Sequence, residues 1–117
     1  MPYMSEERLW TFYIEDMIDF TEKAITYCAG LSRTTFVANT LVYDATLRNL
    51  ELIGEAATRI PAPVREGYPD IPWRQVIATR NRLIHGYLGI DDDILWSIIR
   101  DDLPRLLDQL GALRDAN

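Results

Sequence analysis

The 117-residue chain has one cysteine, one histidine and one lysine, and each scarcity closes off a class of chemistry. With Cys28 alone, no disulfide can form within the chain, and His85 as the sole histidine leaves no Cys/His set with zinc-ligand spacing. Cys28 sits in the apolar run from Ala24 to Ala29, so a buried thiol is expected, one that suits the reducing cytoplasm expected as its location. No stretch approaches the ~18 apolar residues of a membrane-spanning helix. The first ten residues carry no basic stretch followed by an apolar one, so no signal peptide is expected. Glycine-rich phosphate loops, serine or cysteine hydrolase signatures, internal repeats and low-complexity segments are all missing. An excess of basic residues is missing too: the formal net charge is −6, which argues against indiscriminate nucleic-acid binding.

What is present is apolar residues, at 48% of the chain, enough for a core and too many for a disordered polymer. The length fits one domain over residues 1–117. A chain of this size buries roughly two-thirds of its unfolded surface, so it can fold without disulfides and can still gain from pairing with a second copy. The charge is distributed unevenly. Residues 1–58 carry a net −5 and residues 91–117 a net −4, whereas residues 59–90 hold five arginines against Glu66 and Asp70, a net +3. A local electropositive site on an acidic body can take a phosphate while the remainder limits non-specific binding or suits a basic partner. Arginine outnumbers lysine 11 to 1, and guanidinium is the better bidentate phosphate ligand.

The apolar spacing is helical from end to end. A first helix is expected from an N-cap at Ser5, with Leu9, Phe12 or Tyr13, Met17, Phe20, Ala24 and Tyr27 recurring and Gly30 as the stop. A second is expected from Ser32 or Thr34 to Ile60, apolar on two faces: Val37, Leu41, Ala45, Leu52 and Ala56 on one, Leu47, Leu50, Ile53, Ala57 and Ile60 on the other. Pro61 and Pro63 end it, and residues 61–71 form a turn-rich connector with room for a short extra helix. A third helix starts at Pro72-Trp73 and runs to His85 or Gly86, where Gly86 and Gly89 break the pattern. Asp91-Asp92-Asp93 opens a fourth as a cap and a dipole partner rather than a metal site, and Pro104 should kink it. Trp10, Trp73 and Trp96 are expected to pack. The expected fold is all-α, an up-and-down bundle of four main helices.

The third helix breaks its own pattern once. Trp73, Val76, Ile77, Leu83, Ile84 and Tyr87 make an apolar stripe, and Arg80 stands in its middle. A guanidinium there costs several kcal/mol unless paired, and such local rule-breaking marks functional sites. Pairing with Glu51 or Glu55 on the second helix is the structural explanation of the same fact. His85 near a helix end is, by position alone, a cap or a surface residue. By chemistry it is an imidazole, titrating near neutrality, able to deprotonate a 2′-hydroxyl or protonate a leaving 5′-oxygen. Tyr87 is either a rim aromatic or a group that bonds phosphate or stacks on a base. Arg80 and Tyr87, seven apart, are nearly eclipsed on a helix, whereas His85 lies about 140° round from Arg80. Convergence therefore needs a turn at Gly86 or a second copy across a two-fold axis, and the second copy would also supply a second imidazole for separate acid and base.

Arg80-x4-His85-x-Tyr87 resembles the Arg-x4-His-x-Tyr signature of HEPN ribonucleases, with Asn81 as the polar residue after the motif arginine. The surroundings are similar to HepT toxins over residues 8–110: Leu50-Glu51-Leu52-Ile53-Gly54-Glu55-Ala56-Ala57, Pro72-Trp73, Gly86-Tyr87-Leu88-Gly89-Ile90-Asp91, Ile94-Leu95-Trp96 and Asp102-Leu103-Pro104. The resemblance implies a helical homodimer with two motifs in one cleft, cleaving RNA without a metal or other cofactor. It also implies a minimal nucleotidyltransferase (MNT) antitoxin that transfers AMP to the motif tyrosine. Carried over, His85 is the general acid/base, Arg80 holds the scissile phosphate, and Tyr87 is both a substrate contact and the modified residue. Asn81 orients phosphate or His85, Arg82 contacts RNA, and Glu51 and Glu55 order Arg80. The alternative is a non-catalytic HEPN module that binds RNA or nucleotide, or scaffolds a nucleotidyltransferase.

Overall fold

The computed structural model describes residues 6–85 and 90–117, the first three of them as backbone only; among these every regular element is helical. Ser5, Gly86, Tyr87 and Gly89, named above as cap, breaks and site residue, lie outside the described residues. Helix α1 spans Glu6–Cys28, α2 Arg33–Ala38, α3 Thr40–Thr58, α4 Ala62–Gly67, α5 Trp73–Ile84, α6 Asp92–Ser97 and α7 Leu103–Asp115, with a π-helical turn at Ile98–Asp102 joining the last two. The all-α bundle expected from the spacing is what forms: α3 packs against α1 and α5, and α1 also carries α7.

Local chemistry sets most of the boundaries. Gly30 ends α1 with φ at 77°, a left-handed conformation that a side chain disfavours. Asp91 caps α6, its carboxylate accepting from the N–H groups of Asp93 at 2.7 Å and Ile94 at 3.4 Å. The connector 61–71 holds the short helix α4, as its length allowed.

Two expectations need correction. The second helix is not continuous from Ser32 to Ile60: it breaks at Asn39, which adopts an extended conformation (φ −91°, ψ 92°) and caps α3 by accepting from Val42 N–H at 3.1 Å. Ser32 caps α2 separately, in a reciprocal bond pair with Thr35. Two good N-caps seven residues apart favour two helices over one. Leu41 is 80% exposed; the face bearing Leu50, Ile53, Ala57 and Ile60 is core, and of the other face only Ala56 is buried. In α1 the buried face is Trp10, Ile14, Met17, Ile18, Thr21, Ala24 and Cys28, while Leu9, Phe12 and Tyr27 are exposed.

Pro104 distorts its helix as expected, but the distortion lies upstream of it. Proline lacks an N–H and its ring clashes with the carbonyl four residues earlier. The chain answers with the wide turn at 98–102, where Leu103 N–H reaches back five residues to Ile98 O.

A small aromatic cluster ties α2, α3 and α6 together. Phe36 is fully buried, its ring centroid 5.3 Å from that of Tyr43 and 5.4 Å from that of Trp96. Tyr43 Oη donates to Asp92 Oδ1 at 2.7 Å, and Arg33 pairs with Asp93. Accepting that phenol proton, together with partial burial and the charges of Asp92 and Asp44, pushes the Tyr43 pKa up to about 12 from the usual 10. Below pH 10 the phenol is protonated folded or unfolded, and its contribution to stability is complete. Between 10 and 12 the unfolded chain releases the proton first, so that contribution falls as pH rises. In an alkaline absorbance titration Tyr43 should ionise late, and Tyr43→Phe should delete that late step and flatten the loss of stability across the same window.

Thr21 and Asn49, two buried polar side chains, bond one turn back within their own helices. Thr21 Oγ1 donates to Met17 O at 2.6 Å, and Asn49 Nδ2 to Ala45 O at 2.9 Å. Cys28 is buried as expected, 3.4 Å from Thr46 Oγ1, and burial raises its pKa. Trp10 and Trp73 are core residues and Trp96 packs against the core, as expected for the tryptophans.

Candidate functional site

The site is built where α5 meets α3. Two helices normally keep their axes 8–10 Å apart because side chains separate them. At Gly54 there is none: a Cβ placed on it would stand 2.1 Å from Arg80 Cβ, 2.9 Å from Arg80 Cγ and 3.0 Å from Val76 O. The root of Arg80 therefore lies directly on the α3 backbone. An isolated glycine inside a helical pattern was the signal available in the sequence for this close approach.

From that root the guanidinium extends between two acceptors. Nη2 donates to Glu55 Oε2, and Nη1 donates to Asn81 Oδ1 at 2.8 Å. Glu55 is braced in turn by Arg59 at 3.6 Å, one helical turn on. Of the two α3 carboxylates expected beside Arg80, Glu55 is the one that pairs with it. Glu51 pairs with Arg48 at 3.3 Å. The Arg80 side chain is 24% exposed, and its Nε is shielded with no hydrogen-bond partner among the described residues. Among the described residues, two of its five N–H groups are thus committed, one on each terminal nitrogen. The fork is held by two acceptors, and the side chain keeps part of its surface exposed.

His85 follows as the C-cap of α5, exposed, its backbone N–H bonding Asn81 O at 3.3 Å. Its φ of −82° and ψ of 0° keep it in helical register, which puts it on the same face as Asn81, four residues earlier. Arg80 lies round the axis from that face, and Asn81 is the residue that touches the guanidinium and shares the histidine's side. Tyr87 lies outside the described residues. Arg82 points elsewhere: with Arg105 it lines a groove of about 710 Å³ between α5 and α7, floored by Leu50 and Ile53. The stripe that surrounds Arg80 is only half-buried at Val76, Ile77 and Leu83, and Ile84 is 43% exposed.

Among the described residues no group of three or more His, Cys, Asp or Glu is arranged to hold a metal ion, and no helix is long and apolar enough to cross a membrane. The arrangement offers a clamped guanidinium, an amide that touches it, and an exposed imidazole on the amide's side of the same helix. Those are the parts that bind a phosphodiester, neutralise added charge on it and move a proton nearby.

Comparison with known proteins points the same way. Residues 14–113 match the family model described as "Ribonuclease HepT-like". A protein of Methanocaldococcus jannaschii assigned as an RNase is 34% identical over 80% of this chain and 86% of its own length. The "Probable ribonuclease HepT" of Thermococcus cleftensis is 33% identical over 87% of this chain and 93% of its own. A protein of Caldanaerobacter subterraneus subsp. tengcongensis assigned as an RNase is 34% identical over 86% and 90%. No solved structure matches the chain at a significant level.

Proposed function

This chain belongs to the HepT-like ribonuclease family, and from that premise we propose that it is the toxin of a HEPN/MNT toxin–antitoxin pair, a cytoplasmic endoribonuclease that works as a homodimer without a metal. The observation that carries the reading is the half-buried Arg80 guanidinium, clamped by Glu55 and Asn81 on the edge of the helix that ends in His85. A purely structural ion pair has no need of a partly exposed guanidinium on a helix that ends in an exposed imidazole.

Cleavage begins with the RNA backbone phosphate on the two outward N–H groups of Arg80. The imidazole of one His85 takes the proton of the 2′-hydroxyl, and the 2′-oxygen attacks the adjacent phosphorus. Charge that builds on the phosphoryl oxygens is met by Arg80. The P–O5′ bond breaks, and the departing 5′-oxygen takes a proton from the imidazolium of His85 of the second copy. The products are a 2′,3′-cyclic phosphate and a 5′-hydroxyl. Glu55 and Asn81 act through Arg80 by fixing its plane; Arg82 and Tyr87 contact the RNA. Glu51, through Arg48, holds the neighbouring turn of α3. The MNT partner silences the site by transferring AMP from ATP to the Tyr87 hydroxyl, with loss of the phenol proton and release of pyrophosphate. The added phosphate and adenosine then occupy the place of the substrate.

Induction of the chain without its partner should arrest growth and fragment RNA, and the purified protein should cut single-stranded RNA in the presence of EDTA. Co-expression of the nucleotidyltransferase should relieve the arrest and add the mass of AMP to the toxin. Intact RNA after induction of folded protein of unmodified mass would overturn the reading in favour of a non-catalytic module.

A further inference from the structure

Beyond the cluster at Arg80, the molecule carries a second feature on the same helix. A broad, open depression of about 990 Å³ runs between the α4 connector and α5. Its α5 wall includes Arg74, Ala78 and Asn81, spaced four and three residues apart, and the next position in that series is His85. At 100° per residue these four fall within about 60° of one another, a single stripe about 16 Å long from Arg74 to the histidine. The opposite wall brings Arg65 from α4, and Pro69 and Pro72 lie between.

We propose that this trough is the track along which a single-stranded RNA segment reaches His85, with Arg74 and Arg65 as its distal phosphate contacts. The proposal rests on the ribonuclease reading and names its substrate class. Charge supports it: every lining residue lies in 59–90, the one net-positive stretch of an otherwise acidic chain. Arg74 is separated from Asn81 by about two turns of α5, so phosphates several ångströms apart on one strand can be held at both ends. Glu66 and Asp70 also line the trough. Carboxylates repel phosphates but accept from the exocyclic amino groups of bases. Arginines with carboxylates and proline faces between them suit a strand whose bases are splayed, and such edges are accessible in single strands and not in an A-form duplex. The trough adjoins the α5–α7 groove that holds Arg82, sharing Asp70, Pro72, Gln75 and Ala78 with it, and only the trough brings in Arg65, Arg74 and Asn81.

Binding can be read without catalysis. A fluorescent single-stranded 2′-O-methyl oligonucleotide lacks the attacking hydroxyl, so anisotropy measures its affinity whether or not the protein is a nuclease. Arg74→Ala and Arg65→Ala should each weaken binding roughly tenfold, the worth of one charge-assisted hydrogen bond. Each should also lower the slope of log affinity against log salt by about 0.7. Arg74 is exposed, so Arg74→Ala keeps the unfolding midpoint even if Arg65→Ala shifts it. On cleavable RNA, Arg74→Ala should raise KM for a long strand, leave kcat unchanged, and leave a dinucleotide substrate unaffected. Arg100→Ala, outside the trough with the same charge change, is the control. If Arg74→Ala binds the analogue like wild type, or no worse than Arg100→Ala, the track is wrong. The same holds if duplex RNA binds as well as the single strand. If wild type binds the analogue through Arg74 but cuts nothing, the track stands and the ribonuclease reading falls.

Discussion

His85→Ala is expected to lower the cleavage rate of purified protein by about 10²–10⁴ at neutral pH, the usual worth of a positioned general acid or base. The size of the effect follows from the composition of the chain. There is one histidine, so no neighbouring imidazole can substitute. The loss should fall on kcat and hardly on KM, because the proposed phosphate contacts, Arg80 among them, remain. Stability should change within about 0.5 kcal/mol, the range for an exposed substitution, since the side chain is outside the core. The proposed pairing of two His85 copies as acid and base has a further consequence. A dimer of one wild-type and one His85→Ala chain should be nearly as slow as the homodimeric mutant in a mechanism that needs both protons moved. Undiminished cleavage by folded His85→Ala would remove the histidine from the chemistry and leave Arg80 as an RNA clamp.

The second large effect is one of packing. Gly54→Ala should destabilise the protein by about 1–3 kcal/mol, and Gly54→Val by more, the ordinary cost of forcing atoms into a packed contact. The expectation runs against local propensity. In a helix interior, glycine costs about 0.5–1 kcal/mol relative to alanine, so the same replacement where there is room gains stability. Gly111 in α7 is such a place, with nothing within 4 Å of the point where a methyl group would stand. Gly111→Ala should therefore raise the denaturation midpoint and Gly54→Ala lower it. At Gly54 the new Cβ meets the Arg80 side chain and the Val76 carbonyl, so relief requires α5 to move off α3. That movement carries Arg80 away from Glu55, and cleavage should suffer more than the loss of stability alone explains. Equal stabilisation at both glycines would show that α3 and α5 do not meet at Gly54 in solution.

Much of this was legible in the residues. Arg80 announced itself by standing in an apolar stripe, and burial of a charge is costly whatever the fold. The choice between Glu51 and Glu55 was not legible. The two are four residues apart on one helix face, and only the position of Gly54 under Arg80 selects Glu55. The break at Asn39 was written in two capping residues, but a continuous apolar pattern outweighed them. Leu41 and Leu52 satisfy helical periodicity without being buried, because periodicity gives a direction around an axis and not the neighbour that fills it. Pro104 predicted a distortion, yet the carbonyl its ring would strike lies four residues upstream, so the chain widens there.

By itself, then, the sequence determined the helical period, the stops at Gly30 and Pro61, the cap at Asp91, the isolated guanidinium and the lone imidazole. All depend on short-range sterics, dipoles and desolvation, which act between residues near one another in the chain. Tertiary structure decided which face of α3 is core, which carboxylate holds Arg80, and that Arg74, Asn81 and Arg65 border one trough while Arg82 turns toward α7. Those outcomes depend on where separate helices touch, and a side chain absent at Gly54 fixes the contact between α3 and α5 as firmly as any that is present.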